Sequence, residues 1–233
     1  MSHISILSGG AAQGLVGSLA PAFKAETSFD IEGEFCAVGL MADKLRKGTP
    51  TDLVILTAAL LAKLTDENLI FDSSTADIGL VETALAVRAD DPQVTAKDAA
   101  SLREVLLASD AIYVPDTKAS TAGIHVAKVL DQIGVANQVA SRLRIFPNGA
   151  TAMRELAAST AQRPIGCTQS TEIISTSGVV LSGALPPGCE LATMYTAGIA
   201  RTAVHAAQAQ RLIDLLIAAG QRNLREQAGF VRS

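Results

Sequence analysis

The sequence predicts an α/β protein built from mostly parallel sheets that are flanked by helices. Apolar, strand-like runs at 4–7, 53–56 and 111–114 are each followed by a segment whose apolar residues recur at helical spacing. The run at 53–56 is apolar at every position, which is typical of a parallel strand buried on both faces. Strand-to-helix units in succession favour a doubly wound parallel sheet with right-handed crossovers.

The same periodicities predict the remaining elements in order. The predicted strands lie at 4–7, 29–35, 53–56, 78–87, 111–114, 143–146, 165–168, 179–181 and 191–199. The predicted helices carry Leu15 to Phe23, then cover 37–45, 58–64, 99–107, a central segment after Ser120, 150–158, a short turn after Gln169, 204–219, and a last stretch ending near Gly229.

A charged, proline-containing loop at 88–92 interrupts this pattern after a long strand. Such a change from apolar strand to polar loop marks a crossing between two lobes, and the late strand at 191–199 marks the return. We therefore expect lobe 1 to comprise residues 1–87 plus 191–233, and lobe 2 to comprise residues 88–190.

Composition excludes several classes of function. The chain has 233 residues, a net charge of −4, 3% aromatic residues and no Trp, so it offers nucleic acid neither an attractive field nor stacking surfaces. No run approaches the roughly 18 apolar residues of a membrane span, so no membrane insertion is expected. Cys36, Cys167 and Cys189 are odd in number and widely spaced, which fits neither a disulfide framework nor a zinc site. We expect buried thiols, no metal and no cofactor.

The first residues lack a basic segment, a long apolar segment and a small-residue cleavage site. As it stands, the sequence therefore predicts a cytoplasmic protein. A periplasmic location is expected instead if a signal peptide has been removed.

Small or hydroxyl residues follow at least four predicted strands, at 8–11, 37–39, 120–123 and 169–172. The first turn of a helix has backbone N–H groups without partners and carries about half a positive charge, so it stabilises an anion without Lys or Arg. Open α/β sheets bind ligands beyond the carboxyl ends of their strands, so we expect a small anionic ligand in a cleft between the two lobes. The alternative for the central junction is that Ser120 and Thr121 only cap their helix.

The chain resembles the type II periplasmic solute-binding proteins, in the branch related to molybdate-binding proteins. The resemblance covers nearly the whole sequence and rests on the order and spacing of several short motifs. These are Ser8-Gly9-Gly10-Ala11, the stretch Lys47-Gly48-Thr49-Pro50-Thr51-Asp52, Ser120-Thr121-Ala122-Gly123-Ile124-His125, Gln169-Ser170-Thr171-Glu172-Ile173, Gly183-Ala184-Leu185-Pro186 and Ala228-Gly229-Phe230. The resemblance implies a two-lobed clamp that holds an oxyanion with backbone N–H and hydroxyl groups.

Two of these motifs differ from those of true molybdate binders. Gly9-Gly10-Ala11-Ala12 stands where those proteins have a Ser after two alanines, and Gln169-Ser170-Thr171-Glu172 stands near their usual Tyr. The versions found here are similar to those of a side branch that includes an aconitate isomerase. The resemblance therefore also implies a di- or tricarboxylate as an alternative ligand.

Two hypotheses follow from the sequence. The first is a solute-binding protein for a small carboxylate or oxyanion, with an ABC permease as partner if the protein is exported. The second is a cytoplasmic isomerase of an unsaturated carboxylic acid, which also needs a general base. His125 and Glu172 are the candidate catalytic residues, although a solvated His and a helix-start Glu are the plainer interpretations. The candidate ligand-binding residues are Ser8, Gly9, Gly10, Ala11, Val38, Gly39, Thr57, Lys118, Ser120, Thr121, Gly123, Asn148, Gln169, Ser170 and Tyr195.

Overall fold

The structure is a computed structural model that describes residues 2–231. Its strands are β1 (His3–Gly9), β2 (Asp30–Cys36), β3 (Leu53–Thr57), β4 (Ala76–Arg88), β5 (Ala111–Pro115), β6 (Leu143–Phe146), β7 (Pro164–Gln169), β8 (Val179–Ala184), β9 (Ala192–Ile199) and β10 (Phe230–Val231). Its α-helices are α1 (Gln13–Thr27), α2 (Val38–Arg46), α3 (Ala58–Asp66), α4 (Ala99–Ala108), α5 (Thr121–Gln132), α6 (Ala136–Val139), α7 (Gly149–Ala157), α8 (Ser170–Ile174), α9 (Ala206–Ile217) and α10 (Arg222–Gln227).

The chain folds into two compact units. Unit 1 contains the chain up to Val81 and again from Thr193 onward, and unit 2 contains Glu82–Ala192. Strand β4 runs across the first division, and β9 begins at the second.

The sheet of unit 1 has the strand order β2-β1-β3-β9. Strand β1 is parallel to both β2 and β3, β9 returns antiparallel to β3, and β10 pairs antiparallel with Leu80 and Val81 of β4. One continuous apolar core lies between this sheet and its helices, with Phe23, Leu53 and Tyr195 among its fully buried side chains. The strands β1, β2 and β3 therefore end at the same edge of the sheet.

Unit 2 contains a parallel set in which β5 lies between β6 and β7, while β4 pairs antiparallel with both β7 and β8. Apolar side chains cover both faces of this sheet. Leu85 packs with residues of α4 and α5 on one face, and Ala84 packs with residues of α7 and α8 on the other. Helices on both faces of a sheet with a parallel centre confirm the predicted α/β class.

The helix predicted at 204–219 instead covers Ala206–Ile217. Its later start has a physical cause. The carboxylate of Asp52 accepts hydrogen bonds from the backbone N–H groups of Val204 and His205, both at 2.8 Å, and from that of Ser5 at 2.9 Å. These bonds fix residues 204–205 as the approach to the helix and link its start to β1. The pattern also missed the single-turn helix α6 and the two-residue strand β10.

Candidate functional site

The three parallel strands of unit 1 are each followed directly by a helix. A short 3-10 turn at Gly10–Ala12 lies between β1 and α1. One residue separates β2 from α2, and α3 follows β3 without a gap. Within residues 2–231, no side chain caps the starts of α1, α2 or α3. This edge of unit 1 therefore presents several backbone N–H groups that remain available to an anion.

Gly9 lets two other predicted site residues approach this edge closely. A Cβ atom at position 9 would lie 2.7 Å from Val38 Cγ1 and 3.0 Å from Tyr195 Cε1. Tyr195 is also the direct partner of Thr57 across the β3–β9 pair. The structure thus brings Gly9, Val38, Thr57 and Tyr195 together, in an arrangement that needs a glycine at position 9.

The other predicted residues of unit 1 differ in how far they are buried. Ser8 is fully buried and its hydroxyl donates to the carbonyl oxygen of Gly9 at 2.8 Å. Ala11 is also buried, whereas Gly10 and Gly39 are half-buried. The hydroxyl of Ser8 therefore reinforces the turn, and the half-buried glycines leave the backbone approachable.

In unit 2, the junction between β5 and α5 is held by Asp116. Its Oδ1 atom accepts the backbone N–H groups of Lys118 and Ala119 at 2.7 and 2.9 Å, and its carbonyl oxygen accepts that of Ser120 at 3.1 Å. Ser120 is the N-cap residue, yet across residues 2–231 no side chain caps α5. Thr121 is half-buried beside it, and the side chain of Lys118 is exposed. The alternative interpretation, in which Ser120 only caps its helix, is therefore wrong.

The first turn of α5 lies directly against the end of β5. A Cβ atom at Gly123 would stand 2.2 Å from the carbonyl oxygen of Asp116 and 2.6 Å from that of Pro115. Since backbone atoms cannot move aside cheaply, only glycine fits here. Gly123 thus fixes the position of the open helix start.

Side chains bond the start of α7, whereas the start of α5 has no side-chain cap among the residues that the structure describes. The Asn148 side chain accepts the backbone N–H of Thr151 at 2.8 Å. The carboxyl group of Glu172, which comes from α8, accepts the backbone N–H groups of Gly149 and Ala150. Thr168 Oγ1 donates to Glu172 Oε2 at 2.6 Å. The free donors of this helix are therefore satisfied by the chain itself.

Glu172 is 4% exposed, and this burial raises its pKa above the ordinary range for a carboxyl group. The hydrogen bonds from Thr168 and from the backbone of Gln169, Gly149 and Ala150 act in the opposite direction on the pKa. The group thus sits in a tight, donor-lined position rather than in open solvent.

The other predicted residues of unit 2 lie near the ends of β5 and β7. Gln169 and Ser170, at the end of β7, are buried at 4% and 8% exposure. His125 is half-buried one turn into α5, and its Nε2 atom lies 2.8 Å from the carbonyl oxygen of Cys189. This contact ties α5 to the segment before β9.

Sequence reasoning missed Thr83, which lies inside β4 directly opposite Gln169. The residue is 2% exposed, and within the described part of the chain its hydroxyl has no hydrogen-bond partner. Because side chains alternate along a strand, Thr83 shares the face of Leu85, which packs against α5. A buried hydroxyl without a partner is costly, so Thr83 is a candidate for contact with a ligand group. No local sequence pattern distinguishes such a residue from an ordinary strand Thr.

The thiols are packing residues. Cys167 and Cys189 are buried in unit 2, Cys36 is half-buried, and desolvation raises the pKa of Cys167 to about 12. Residues 2–231 contain no cluster of three or more His, Cys, Asp and Glu side chains suited to a metal ion. Over the same residues, no helix has both the length and the apolar character to cross a membrane.

A two-unit α/β fold with uncapped helix starts after its parallel strands is the architecture of solute-binding proteins, and a comparison of sequences identifies this class. The sequence profile of the bacterial extracellular solute-binding proteins matches residues 4–231, and the chain belongs to that family. Among characterised proteins, an aconitate isomerase from Pseudomonas sp. is 21% identical in an alignment 241 positions long, which covers 99% of this chain and 88% of that protein.

Many solved structures share the fold, including those of two anion-binding proteins. The periplasmic molybdate-binding protein of Azotobacter vinelandii superimposes with a TM-score of 0.83 at 15% identity, over 99% of this chain and all of that one. The sulfate-binding protein of Mycobacterium tuberculosis gives a TM-score of 0.77 at 17% identity, over 99% of this chain and 86% of that one. The predicted type II periplasmic-binding-protein fold is thereby confirmed.

Proposed function

We propose that this protein binds a small anion, either a di- or tricarboxylate or an inorganic oxyanion, through its open helix starts. The observation that carries the proposal is the start of α5. A serine stands at the N-cap, its side chain leaves the helix uncapped, and Gly123 lets the first turn pack directly against the end of β5. The backbone N–H groups of the first turn and the Ser120 hydroxyl then form a set of donors suited to a carboxylate or oxyanion.

The edge of unit 1 supports the same function. Its helices also start without side-chain caps, and Gly9 brings Tyr195 and Val38 close to the backbone there. Two of the similar structures are named as molybdate-binding and sulfate-binding proteins, which are anion binders of the same fold. As a member of an extracellular family, the protein is proposed to act outside the cytoplasm and to deliver its anion to an ABC permease.

Isomerisation of an unsaturated carboxylic acid is the second candidate, because one relative is named as an aconitate isomerase. That reaction needs a base that can reach the substrate. The geometry favours binding instead, since Glu172 is enclosed by donors from α7 and Thr168, and His125 Nε2 already contacts the carbonyl oxygen of Cys189.

The first prediction concerns the ligand class and Ser120. The panel of anions is citrate, cis- and trans-aconitate, succinate, molybdate, tungstate and sulfate. At least one of them should bind and stabilise the fold by about 2.7 kcal/mol at a hundredfold excess over its Kd. Ser120→Ala should weaken that ligand about tenfold or more, because a hydrogen bond to a charged group is lost. Its unfolding free energy without ligand should stay unchanged, since the hydroxyl caps nothing.

Ser101→Ala is the matched control for Ser120→Ala. Ser101 forms a capping box with Asp98 at the start of α4, so its loss should lower stability by about 1 kcal/mol and leave affinity unchanged. Thermal shift and calorimetry measure both quantities, and NMR follows any interconversion of the aconitates. A panel with no stabilising anion contradicts the proposal, and catalysed interconversion replaces it with the isomerase.

The second prediction concerns Thr83. Thr83→Val should keep or raise the unfolding free energy, by up to about 1 kcal/mol, because a buried hydroxyl without a partner is replaced by a methyl group. It should also weaken ligand binding about tenfold if the hydroxyl bonds the anion. Thr168→Val is the control in the neighbouring strand, where the lost bond to Glu172 should cost about 1 to 3 kcal/mol. Urea titrations with and without ligand separate the effect on stability from the effect on affinity. Equal changes in stability and affinity in the two variants would argue against a role for Thr83.

A further inference from the structure

Unit 2 contains two helix starts at similar positions in the sheet, of which only one is bonded by side chains of the described residues. Both α5 and α7 follow parallel neighbouring strands, β5 and β6, so both begin at the same edge of one sheet. Among the described residues, α5 is left without any side-chain cap, whereas α7 has its first three backbone N–H groups bonded by Asn148 and Glu172. One anion position is therefore open, and the other is filled.

The group that fills the α7 position has the form of a bound ligand. It is a carboxyl group that comes from a different helix and is held by the backbone N–H groups of Gly149 and Ala150 and by the Thr168 hydroxyl. Position 149 is shaped around it, because a Cβ atom there would stand 1.9 Å from Glu172 Oε2 and 2.2 Å from Thr168 Oγ1. The position thus combines a helix start, a side-chain donor and a close backbone approach.

Ordinary helix capping does not account for this arrangement. Asn148 already provides the usual N-cap bond to α7, and burying a carboxyl group is costly unless its oxygens are bonded. An apolar residue at position 172 would fill the same space at lower cost if the donors of Gly149 and Ala150 had no need of an acceptor. The donors and the carboxyl group are therefore matched to each other.

We propose that the Glu172 carboxyl group is a built-in substitute for an anionic group of the ligand at the start of α7. The inference rests on the proposed anion-binding function. It makes Glu172 a specificity-determining residue: the ligand contacts unit 2 through one anionic group at α5, and a ligand that needs a second anionic contact at α7 is excluded. The ligand class is then a small oxyanion or a carboxylate that presents a single anionic group to this unit.

The test is rescue by a small carboxylate. Glu172→Ala vacates the position, so formate should raise the Tm of this variant by about 5 °C more than that of the wild type at a hundredfold excess over its Kd. Glu172→Gln keeps the volume filled and should respond to formate no more than the wild type. Sodium chloride at equal ionic strength controls for screening. If Glu172→Ala does not fold alone, its refolding yield in formate against chloride gives the same comparison.

A second arm tests specificity with larger probes. Tricarballylate carries one carboxylate more than glutarate, so Glu172→Ala should shift the preference toward tricarballylate by about tenfold relative to the wild type. Equal formate responses in all three proteins overturn the assignment of the α7 position, and an unchanged preference between the two probes overturns the role in specificity. If no anion stabilises the wild type but formate rescues Glu172→Ala, the binding function fails while the filled anion position stands.

Discussion

Gly123→Ala is expected to lower the free energy of unfolding by about 3 kcal/mol, as overpacking at a rigid contact does. The added methyl group would stand 2.2 Å from the carbonyl oxygen of Asp116, and a backbone atom at the end of β5 has no rotamer by which to move away. Helix α5 must then shift as a body. Its open start would move with it, so ligand affinity should fall together with stability, as measured by urea denaturation and calorimetry.

Gly17→Ala supplies the matched control, since it also places alanine within a helix. Gly17 is exposed in α1, and an added Cβ atom meets nothing within 4 Å. That substitution should raise stability by about 1 kcal/mol through helix propensity and leave binding intact. A Gly123→Ala protein as stable as Gly17→Ala would show that α5 is not held against β5.

Asp52→Ala should lower the free energy of unfolding by about 3 to 4 kcal/mol, because it removes a buried acceptor that serves several donors. Asp52 is 5% exposed and bonds the backbone N–H groups of Ser5, Val204 and His205. Its loss leaves these groups without an acceptor and detaches the start of α9 from β1.

Asp52→Asn separates charge from shape. An amide has one oxygen and one nitrogen, so either orientation leaves a backbone N–H facing an N–H donor, and we expect most of the loss seen with alanine. Asp66→Ala, at an exposed position in α3, should change stability by no more than about 0.5 kcal/mol. Hydrogen exchange should also show faster opening of α9 in the Asp52 variants, and unchanged protection there would contradict the proposed anchoring.

The order of strands and helices was predictable because it depends on local periodicity. Runs such as 53–56 and the spacing of Leu15, Leu19 and Phe23 gave β3 and α1 within a few residues of their observed bounds. The start of α9 was misplaced by two residues, since it depends on a carboxylate 152 residues earlier in the chain. Local hydropathy patterns do not reveal a partner that is so distant in the sequence.

In the candidate site, too, features set by local sequence were predictable and features set by distant contacts were not. Small and hydroxyl residues after strands indicated where helices start, as at 8–11 and 120–123. Three other features depend on contacts distant in sequence: the uncapped Ser120, the buried hydroxyl of Thr83 and the bond from Glu172 to α7. From residue type alone, helix capping was the alternative for Ser120 and a helix-start role was the plainer interpretation of Glu172, because both situations are common for these residue types.

The close fit of Gly149 and Glu172 makes the residue allowed at one position depend on the residue at the other. Any side chain at 149 needs the space now taken by Glu172 Oε2 and Thr168 Oγ1, so a family member with a larger residue there has no room for the carboxyl group. The reverse change, loss of Glu172 with glycine retained, leaves an empty anion position. If the proposed role of Glu172 holds, we expect glycine at 149 and glutamate at 172 to occur together in relatives whose own chain supplies the carboxyl group at this helix start.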